Sequence, residues 1–135
     1  MTKCCDREKY FLIVDDLEHQ RMAIKVAVQQ VVPRSEFIEV GNLPEATEIV
    51  KGKDPIDIAI IDLMLTHEGK DEQGAELIRI MKKLPHRRNA RSILITAYAG
   101  EESRVIADEV GADGYISKLN SSDVVELQET VKKFL

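Results

Sequence analysis

The sequence has little cysteine, few aromatic residues and no long apolar run. Of its 135 residues, two are cysteine, none is tryptophan, and aromatic residues make up 4%. Cys4 and Cys5 are adjacent, and no cysteine or histidine cluster stands at zinc-ligand spacing, so we expect free thiols on a loose N-terminal segment. No apolar stretch approaches the roughly 20 residues that a membrane span needs. The N-terminus also lacks the apolar core of a secretion signal. We therefore expect a cytoplasmic protein without membrane insertion.

The charge balance argues against general binding to nucleic acid. The chain has 19 basic and 24 acidic residues, a formal net charge of −5, whereas nucleic-acid binders carry excess positive charge. Basic residues do cluster at one place: Lys82, Lys83, His86, Arg87, Arg88 and Arg91. Because cations suit a helix C-terminus, we interpret this cluster as a solvated loop, with a partner surface as the alternative. The length suits one domain, which we place at 9–135 after a flexible arm at 1–8.

Apolar segments of strand length alternate with segments of helical period along the whole chain. Strands are predicted at 10–14, 36–40, 56–62, 92–96 and 114–117. Helices are predicted at 17–32, 43–51, 74–84 and 101–110, with a last helix that follows a cap at Asn120 or Ser121. Strict alternation predicts a doubly wound α/β fold with a five-stranded parallel sheet. The common strand order for five strands is 2-1-3-4-5, as in flavodoxin-like folds, with a ligand crevice beside strands 1 and 3.

Polar side chains follow the strands that flank this crevice. Asp15 and Asp16 come after strand 1, Asp62 ends strand 3, Thr96 ends strand 4, and Lys118 follows strand 5. Carboxylates packed together repel one another, and either a divalent cation or a retained proton relieves that repulsion. Magnesium takes one or two carboxylates and keeps positions open for water and phosphate oxygens. A hydroxyl and an ammonium nearby would suit the same phosphate. Asp62 is then either a ligand only or a nucleophile.

Together these residues resemble the receiver domain of two-component response regulators, of the small chemotaxis-regulator kind. The resemblance runs from about Tyr10 to Leu135. It rests on the acidic pair at 15–16, Ile-Ile-Asp-Leu-Met around Asp62, Thr-Ala at 96–97 and Gly-Tyr-Ile-Ser-Lys at 114–118. The resemblance implies that Asp62 accepts a phosphoryl group. It also implies a Mg²⁺ or Mn²⁺ site formed by Asp16, Asp62 and the main-chain carbonyl of Met64, with Asp15 acting through a bound water.

The resemblance assigns further roles around the acceptor. Thr96 resembles the switch hydroxyl, Tyr115 the aromatic residue that turns inward with it, and Lys118 the lysine that pairs with the phosphoryl oxygens. The implied activity is self-catalysed phosphotransfer and dephosphorylation, so the protein is a switch and not an enzyme for an outside substrate. The implied partners are a histidine kinase or phosphotransfer protein and a downstream protein.

We expect a single-domain regulator, since the chain starts at its own Met1 and no output domain follows the last helix. Its output would be a changed surface around helix 4, strand 5 and helix 5; a phosphate shuttle is the alternative. The cognate kinase, the target, and whether phosphorylation drives dimerisation are open at this stage.

The sequence departs from the receiver pattern in the loops. Leu119 replaces the usual proline after the lysine, which puts the family's cis peptide in doubt there. Thr66 replaces another common proline, and the charged loop at 66–73 is longer than usual. Met64 and Tyr98 stand where polar side chains could position an attacking water, so we predict a long-lived phosphoryl group.

Other functions and plainer roles compete with this interpretation. A flavin or nucleotide binder needs a donor-rich loop after strand 1, but the loop here is acidic. An aspartate-dependent phosphatase typically pairs two aspartates one residue apart and carries a cap domain, and this chain has neither. An adaptor that is never phosphorylated remains an alternative. Asp15 and Asp16 also suit a helix N-terminus. Asp62, Thr96 and Tyr115 each have a structural alternative: a turn residue, β-branched packing and half-buried core, respectively. We assign no chemical role to the three histidines.

Overall fold

The computed structural model describes residues 8–63, 73–96, 101–117 and 123–135. Most of the predicted N-terminal arm lies outside these ranges. Five strands are present: β1 (Lys9–Val14), β2 (Ser35–Val40), β3 (Ile58–Asp62), β4 (Arg91–Thr96) and β5 (Gly114–Ser117). Five helices alternate with them: α1 (Glu18–Val31), α2 (Leu43–Lys51), α3 (Gln73–Lys82), α4 (Glu101–Val110) and α5 (Asp123–Lys133). A 3₁₀ turn, Pro85–Arg87, precedes β4.

The five strands form one parallel sheet in the order β2-β1-β3-β4-β5. The predicted flavodoxin-like order is therefore confirmed. The register sets Val14 beside Val40 on one side and Ile61 on the other. Because all strands are parallel, their carboxyl ends meet at one edge of the sheet, and the residues that follow β1 lie next to the end of β3.

The sheet is covered on both faces, which explains its continuous apolar strands. Every residue of β3 is buried, as Ile-Ala-Ile-Ile before the terminal aspartate predicts. Alternate strand side chains enter two separate cores. Leu12, Ile61 and Leu94 pack with residues of α2, α3 and α4. Ile13, Ile60 and Ile95 pack with residues of α1 and α5. Within the described ranges, no helix has the length and apolarity to cross a membrane.

The strand boundaries differ slightly from the prediction. The apolar pattern begins β3 at Ile56, but the strand starts at Ile58. Asp57 explains the difference. Its N–H donates to the Tyr10 carbonyl at 2.7 Å, and its carboxylate accepts the Tyr10 N–H at 2.8 Å. Asp57 thus holds the start of β1 through a side chain, before the regular ladder begins.

The basic cluster is not uniformly solvated, and this corrects the sequence interpretation at one residue. Arg87 is 6% exposed. Its guanidinium donates to four carbonyls at the end of α2, those of Ile49, Val50, Gly52 and Asp54, at 2.6–3.1 Å. Burial lowers the pKa of Arg87, and the nearby charge of Asp54 opposes that shift. Arg87 is therefore a structural cation that closes the C-terminus of α2.

Candidate functional site

Three carboxylates meet at the carboxyl ends of β1 and β3. One oxygen from each of Asp15, Asp16 and Asp62 lies within 4.8 Å of the others. Asp15 is 1% exposed and Asp62 9% exposed, so these carboxylates sit at the floor of the site and not on an open surface. The register explains the meeting: Val14 pairs with Ile61, which sets the next residues of both strands side by side. The sequence prediction that these acids converge is correct for all three.

Asp15, in the β1–α1 loop, is held by hydrogen bonds to its backbone as well as to its side chain. Its N–H donates to the Val40 carbonyl at 3.1 Å. Its carboxylate accepts the Leu17 N–H at 3.0 Å, and its carbonyl accepts a hydrogen bond from Nη1 of Arg21 at 2.6 Å. Asp15 therefore supports the entry to α1 while it belongs to the acidic cluster. Helix α1 itself begins after Leu17 without a side-chain cap, so the Asp15 carboxylate orders the residues before the helix and does not cap it.

Leu63, the residue after Asp62, is hydrogen-bonded through both of its backbone polar groups. The Leu63 N–H donates to the Ile95 carbonyl at 2.8 Å, and the Leu63 carbonyl accepts the Gly74 N–H at 3.0 Å. Gly74 lies so close that a Cβ atom there would fall 2.1 Å from the Asp62 carbonyl oxygen. The start of α3 thus packs directly against the backbone of Asp62. Only a residue without a side chain fits this approach.

Thr96 and Tyr115 lie on the neighbouring strands. Thr96 ends β4, is fully buried and pairs in register with Ser117 of β5. Tyr115 is half-buried, and the guanidinium of Arg104 lies 5.1 Å from its ring centroid. The Tyr115 hydroxyl is buried and has no hydrogen-bond partner among the residues that the structure describes. Within the described ranges, the ring is therefore held by packing and by the Arg104 guanidinium, and the hydroxyl contributes no hydrogen bond.

Several predicted site residues lie outside the described ranges. They are Met64 and Lys118, together with Tyr98, Leu119 and the 66–72 part of the long loop. Of the histidines, His67 is also outside, and His19 is exposed on α1. The Nε2 atom of His86 contacts the carbonyl oxygens of Val50 and Gly52 at 3.1 and 2.9 Å. His86 thus shares the end of α2 with Arg87.

The donor set suits a hard divalent cation. Among the described residues, the cluster offers three carboxylates and no sulfur or imidazole ligand, and oxygen ligands of this kind are those that Mg²⁺, Mn²⁺ and Ca²⁺ prefer. Sequence reasoning missed two supports of this set, Arg21 and Gly74. Neither could be singled out from the sequence. Arg21 is one of several basic residues on helices, and Gly74 is an ordinary glycine near a helix start.

Comparison with known proteins gives a consistent result. The family model of the response regulator receiver domain matches residues 11–132. The chain is 33% identical over 110 residues to the phosphate regulon transcriptional regulatory protein PhoB of Pseudomonas aeruginosa. That match covers 82% of this chain and 45% of the relative. The chain therefore spans about half the length of this curated relative.

Solved structures share the fold at lower identity. A signal receiver domain of a two-component histidine kinase from Clostridium thermocellum has a TM-score of 0.81 and 24% identity, over 94% of this chain and 97% of that one. A response regulator protein from Burkholderia pseudomallei, solved with a phosphorylated aspartic acid, a calcium ion and citrate, has a TM-score of 0.68 and 24% identity. That match covers 93% of this chain and 72% of the other.

Proposed function

This chain belongs to the response regulator receiver domain family, and we propose that it is a switch controlled by phosphorylation of Asp62. The observation that carries the proposal is the convergence of Asp15, Asp16 and Asp62 within 4.8 Å at the sheet edge. Fully buried Thr96 ends the strand next to β3. The Burkholderia pseudomallei neighbour adds support, because that protein of the same fold holds a phosphorylated aspartic acid and a calcium ion.

The residues fit a divalent cation, and we assign the ligands accordingly. Asp16, Asp62 and the main-chain carbonyl of Met64 bind Mg²⁺ or Mn²⁺, while Asp15 acts through a bound water. When bound, the cation offsets negative charge on the phosphoryl oxygens. The hydrogen bonds of the Leu63 N–H and carbonyl keep the backbone beside Asp62 in place, so the Asp62 carboxylate is positioned before the donor arrives.

In the proposed reaction, a carboxylate oxygen of Asp62 attacks the phosphorus of a phosphohistidine. A P–O bond forms as the P–N bond breaks, and the departing imidazole keeps the electron pair and takes a proton from solvent. Dephosphorylation restores the Asp62 carboxylate: water attacks phosphorus, the P–O bond to Asp62 breaks with its electron pair left on the carboxylate oxygen, and inorganic phosphate leaves with the protons of the water. Lys118 and the Thr96 hydroxyl donate hydrogen bonds to the phosphoryl oxygens.

The output is a changed protein-binding surface. Movement of the Thr96 hydroxyl toward the phosphoryl group leaves room for Tyr115 beside it. An inward turn of the Tyr115 ring changes its contact with Arg104 of α4, whose guanidinium lies 5.1 Å from the ring centroid. The surface of α4, β5 and α5 then differs between the two states. The partners are a histidine kinase or phosphotransfer protein upstream and a target protein downstream, with a second copy of the chain as a further candidate partner.

Intact mass after incubation with acetyl phosphate tests the proposal. We expect a gain of one phosphoryl group that requires a divalent cation and is lost in Asp62→Asn. Asp108→Asn is the matched control, because Asp108 is an exposed carboxylate of α4 away from the cluster. A folded protein that gains no mass under any condition would contradict the proposal and favour an adaptor. A gain that persists in Asp62→Asn would place the modification elsewhere.

A further inference from the structure

Arg21 of α1 contacts the backbone of the β1–α1 loop, which carries Asp15 and Asp16. We infer that Arg21 is a positioning residue that holds the Asp15–Asp16 loop in the geometry needed for cation binding; this inference rests on the proposed function. Its Nη1 atom donates to the Asp15 carbonyl at 2.6 Å. This hydrogen bond is made to the backbone of the loop and does not use a side-chain oxygen of Asp15.

The other side of the guanidinium forms an ion pair with Glu39 of β2, and its Nε makes no hydrogen bond with any described residue. Its Nε lies 3.4 Å from Oε1 of Glu39, and Nζ of Lys25 lies 3.6 Å from the other oxygen of Glu39. The Arg21 side chain is 18% exposed, whereas that of Lys25 is 39% exposed. Arg21 thus connects Glu39 of β2 with the end of β1, while Lys25 pairs with the same Glu39 carboxylate.

Gly41 provides the space for this arrangement. A Cβ atom on Gly41 would fall 3.3 Å from Nη1 of Arg21 and 3.7 Å from the Asp15 carbonyl oxygen. The guanidinium therefore lies in a slot between the β1–α1 and β2–α2 loops. With its N–H bonded to Val40 and its carbonyl bonded to Arg21, Asp15 has both backbone groups fixed by neighbouring elements.

Positioning and simple charge predict opposite effects on cation affinity. If Arg21 acted only as a nearby positive charge, removing it would strengthen Mg²⁺ binding, because like charges repel. If Arg21 holds the loop, removing it weakens binding, as loss of an outer-shell contact usually does, by about tenfold or more. A lysine keeps the charge but lacks the planar fork that reaches two partners at once. Arg21→Lys therefore separates the two effects.

The experiment is calorimetric titration of the unphosphorylated protein with Mg²⁺. We expect the Kd to rise about tenfold in both Arg21→Gln and Arg21→Lys, and to stay within about twofold of wild type in Lys25→Gln, which removes the neighbouring cation on Glu39. Circular dichroism and a thermal melt of each metal-free variant show that it is folded. As a readout without metal, amide exchange at Leu17 should quicken about tenfold in both Arg21 variants, since its acceptor belongs to Asp15.

The outcomes are distinct. If wild type binds Mg²⁺ and the folded Arg21 variants bind it with an unchanged or lower Kd, the positioning role is overturned and the proposed function is left intact. A wild-type protein that binds no divalent cation would contradict the proposed function itself. Tighter binding in Arg21→Gln together with unchanged binding in Arg21→Lys would assign Arg21 the charge effect alone and would also overturn the positioning role.

Discussion

Replacement of Gly74 by alanine tests whether the close approach of α3 to Asp62 supports the site. The new Cβ would fall 2.1 Å from the Asp62 carbonyl oxygen and 2.8 Å from the Leu63 Cα atom, whereas Cβ contacts under 3.0 Å essentially never occur in proteins. The start of α3 or the Asp62–Leu63 peptide must therefore move by about 1 Å to relieve the overlap. Both neighbours are backbone, so no side-chain rotation can absorb the clash.

Two effects of opposite sign set the stability change. Alanine favours a helix over glycine by up to about 1 kcal/mol, less at a helix end. Overpacking a buried contact costs about 1–3 kcal/mol. Because the approach at Gly74 is so short, we expect the steric cost to exceed the propensity gain and lower the free energy of unfolding by about 1–2 kcal/mol. A displacement of about 1 Å beside the acceptor should also slow phosphorylation of Asp62 by about 10- to 100-fold.

Urea unfolding followed by far-UV circular dichroism measures the free energy of unfolding, since the chain has no tryptophan to report by fluorescence. The rate of mass gain with acetyl phosphate measures the rate of Asp62 phosphorylation. Gly52→Ala is the matched control: its Cβ would meet its nearest atoms at 3.4 and 3.5 Å, which are tolerable contacts, far from the site. A Gly74→Ala protein as stable as wild type and phosphorylated at the same rate would refute the reasoning.

Three further substitutions test other parts of the structure. Arg87→Ala should lower the free energy of unfolding by about 3 kcal/mol, because four carbonyls at the end of α2 lose their hydrogen bonds to Arg87 and His86 contacts only two of them. Exposed Arg88→Ala should cost less than about 0.5 kcal/mol. Equal effects of the two substitutions in urea titrations would contradict the role of Arg87. Met64→Asn should speed loss of the phosphoryl group, because an amide can position the attacking water; equal decay rates would refute this. Tyr115→Phe should leave the unphosphorylated protein as stable or up to about 1 kcal/mol more stable, because it removes a buried hydroxyl without a partner among the described residues. A clear loss of stability would show that this hydroxyl is bonded.

The strand order could be predicted because it depends on patterns that are local in sequence. Continuous apolar runs in β1 and β3 indicate strands buried on both faces, and alternation with helices leaves few parallel topologies. The ends of the elements were less predictable. The start of β3 depends on Asp57 bonding to Tyr10, a residue 47 positions away. No local pattern carries that information.

The basic cluster shows the same limit more sharply. Charge and the position after a helix favour exposure of Arg87, and its neighbours Lys82, Lys83 and Arg88 are exposed. Arg87 is buried because the carbonyls at the end of α2 are close to it in space, although they are more than 30 residues away in sequence. A buried arginine with four acceptors and an exposed one look alike in a sequence.

In the candidate site, too, some residues could be predicted from local sequence patterns and others could not. Asp15, Asp16, Asp62 and Thr96 could be predicted together, because each follows a strand and parallel strands end at one edge of the sheet. The roles of Met64 and Lys118 rest on the family resemblance and remain predictions.

The contacts of Arg21 and Gly74 with the acidic cluster could not be predicted from the sequence, and chains that differ at these two positions should differ in cation affinity. Arg21 contributes no ligand atom and Gly74 contributes no side chain, yet each contacts the backbone of an aspartate in the cluster. A chain that keeps all three acids but changes either support would still carry the full acidic pattern. Since metal affinity depends on ligand geometry as well as ligand identity, such a chain should bind Mg²⁺ more weakly than its acidic residues indicate. The acids therefore identify where a cation can bind, whereas Arg21, Gly41 and Gly74 bear on how tightly it binds.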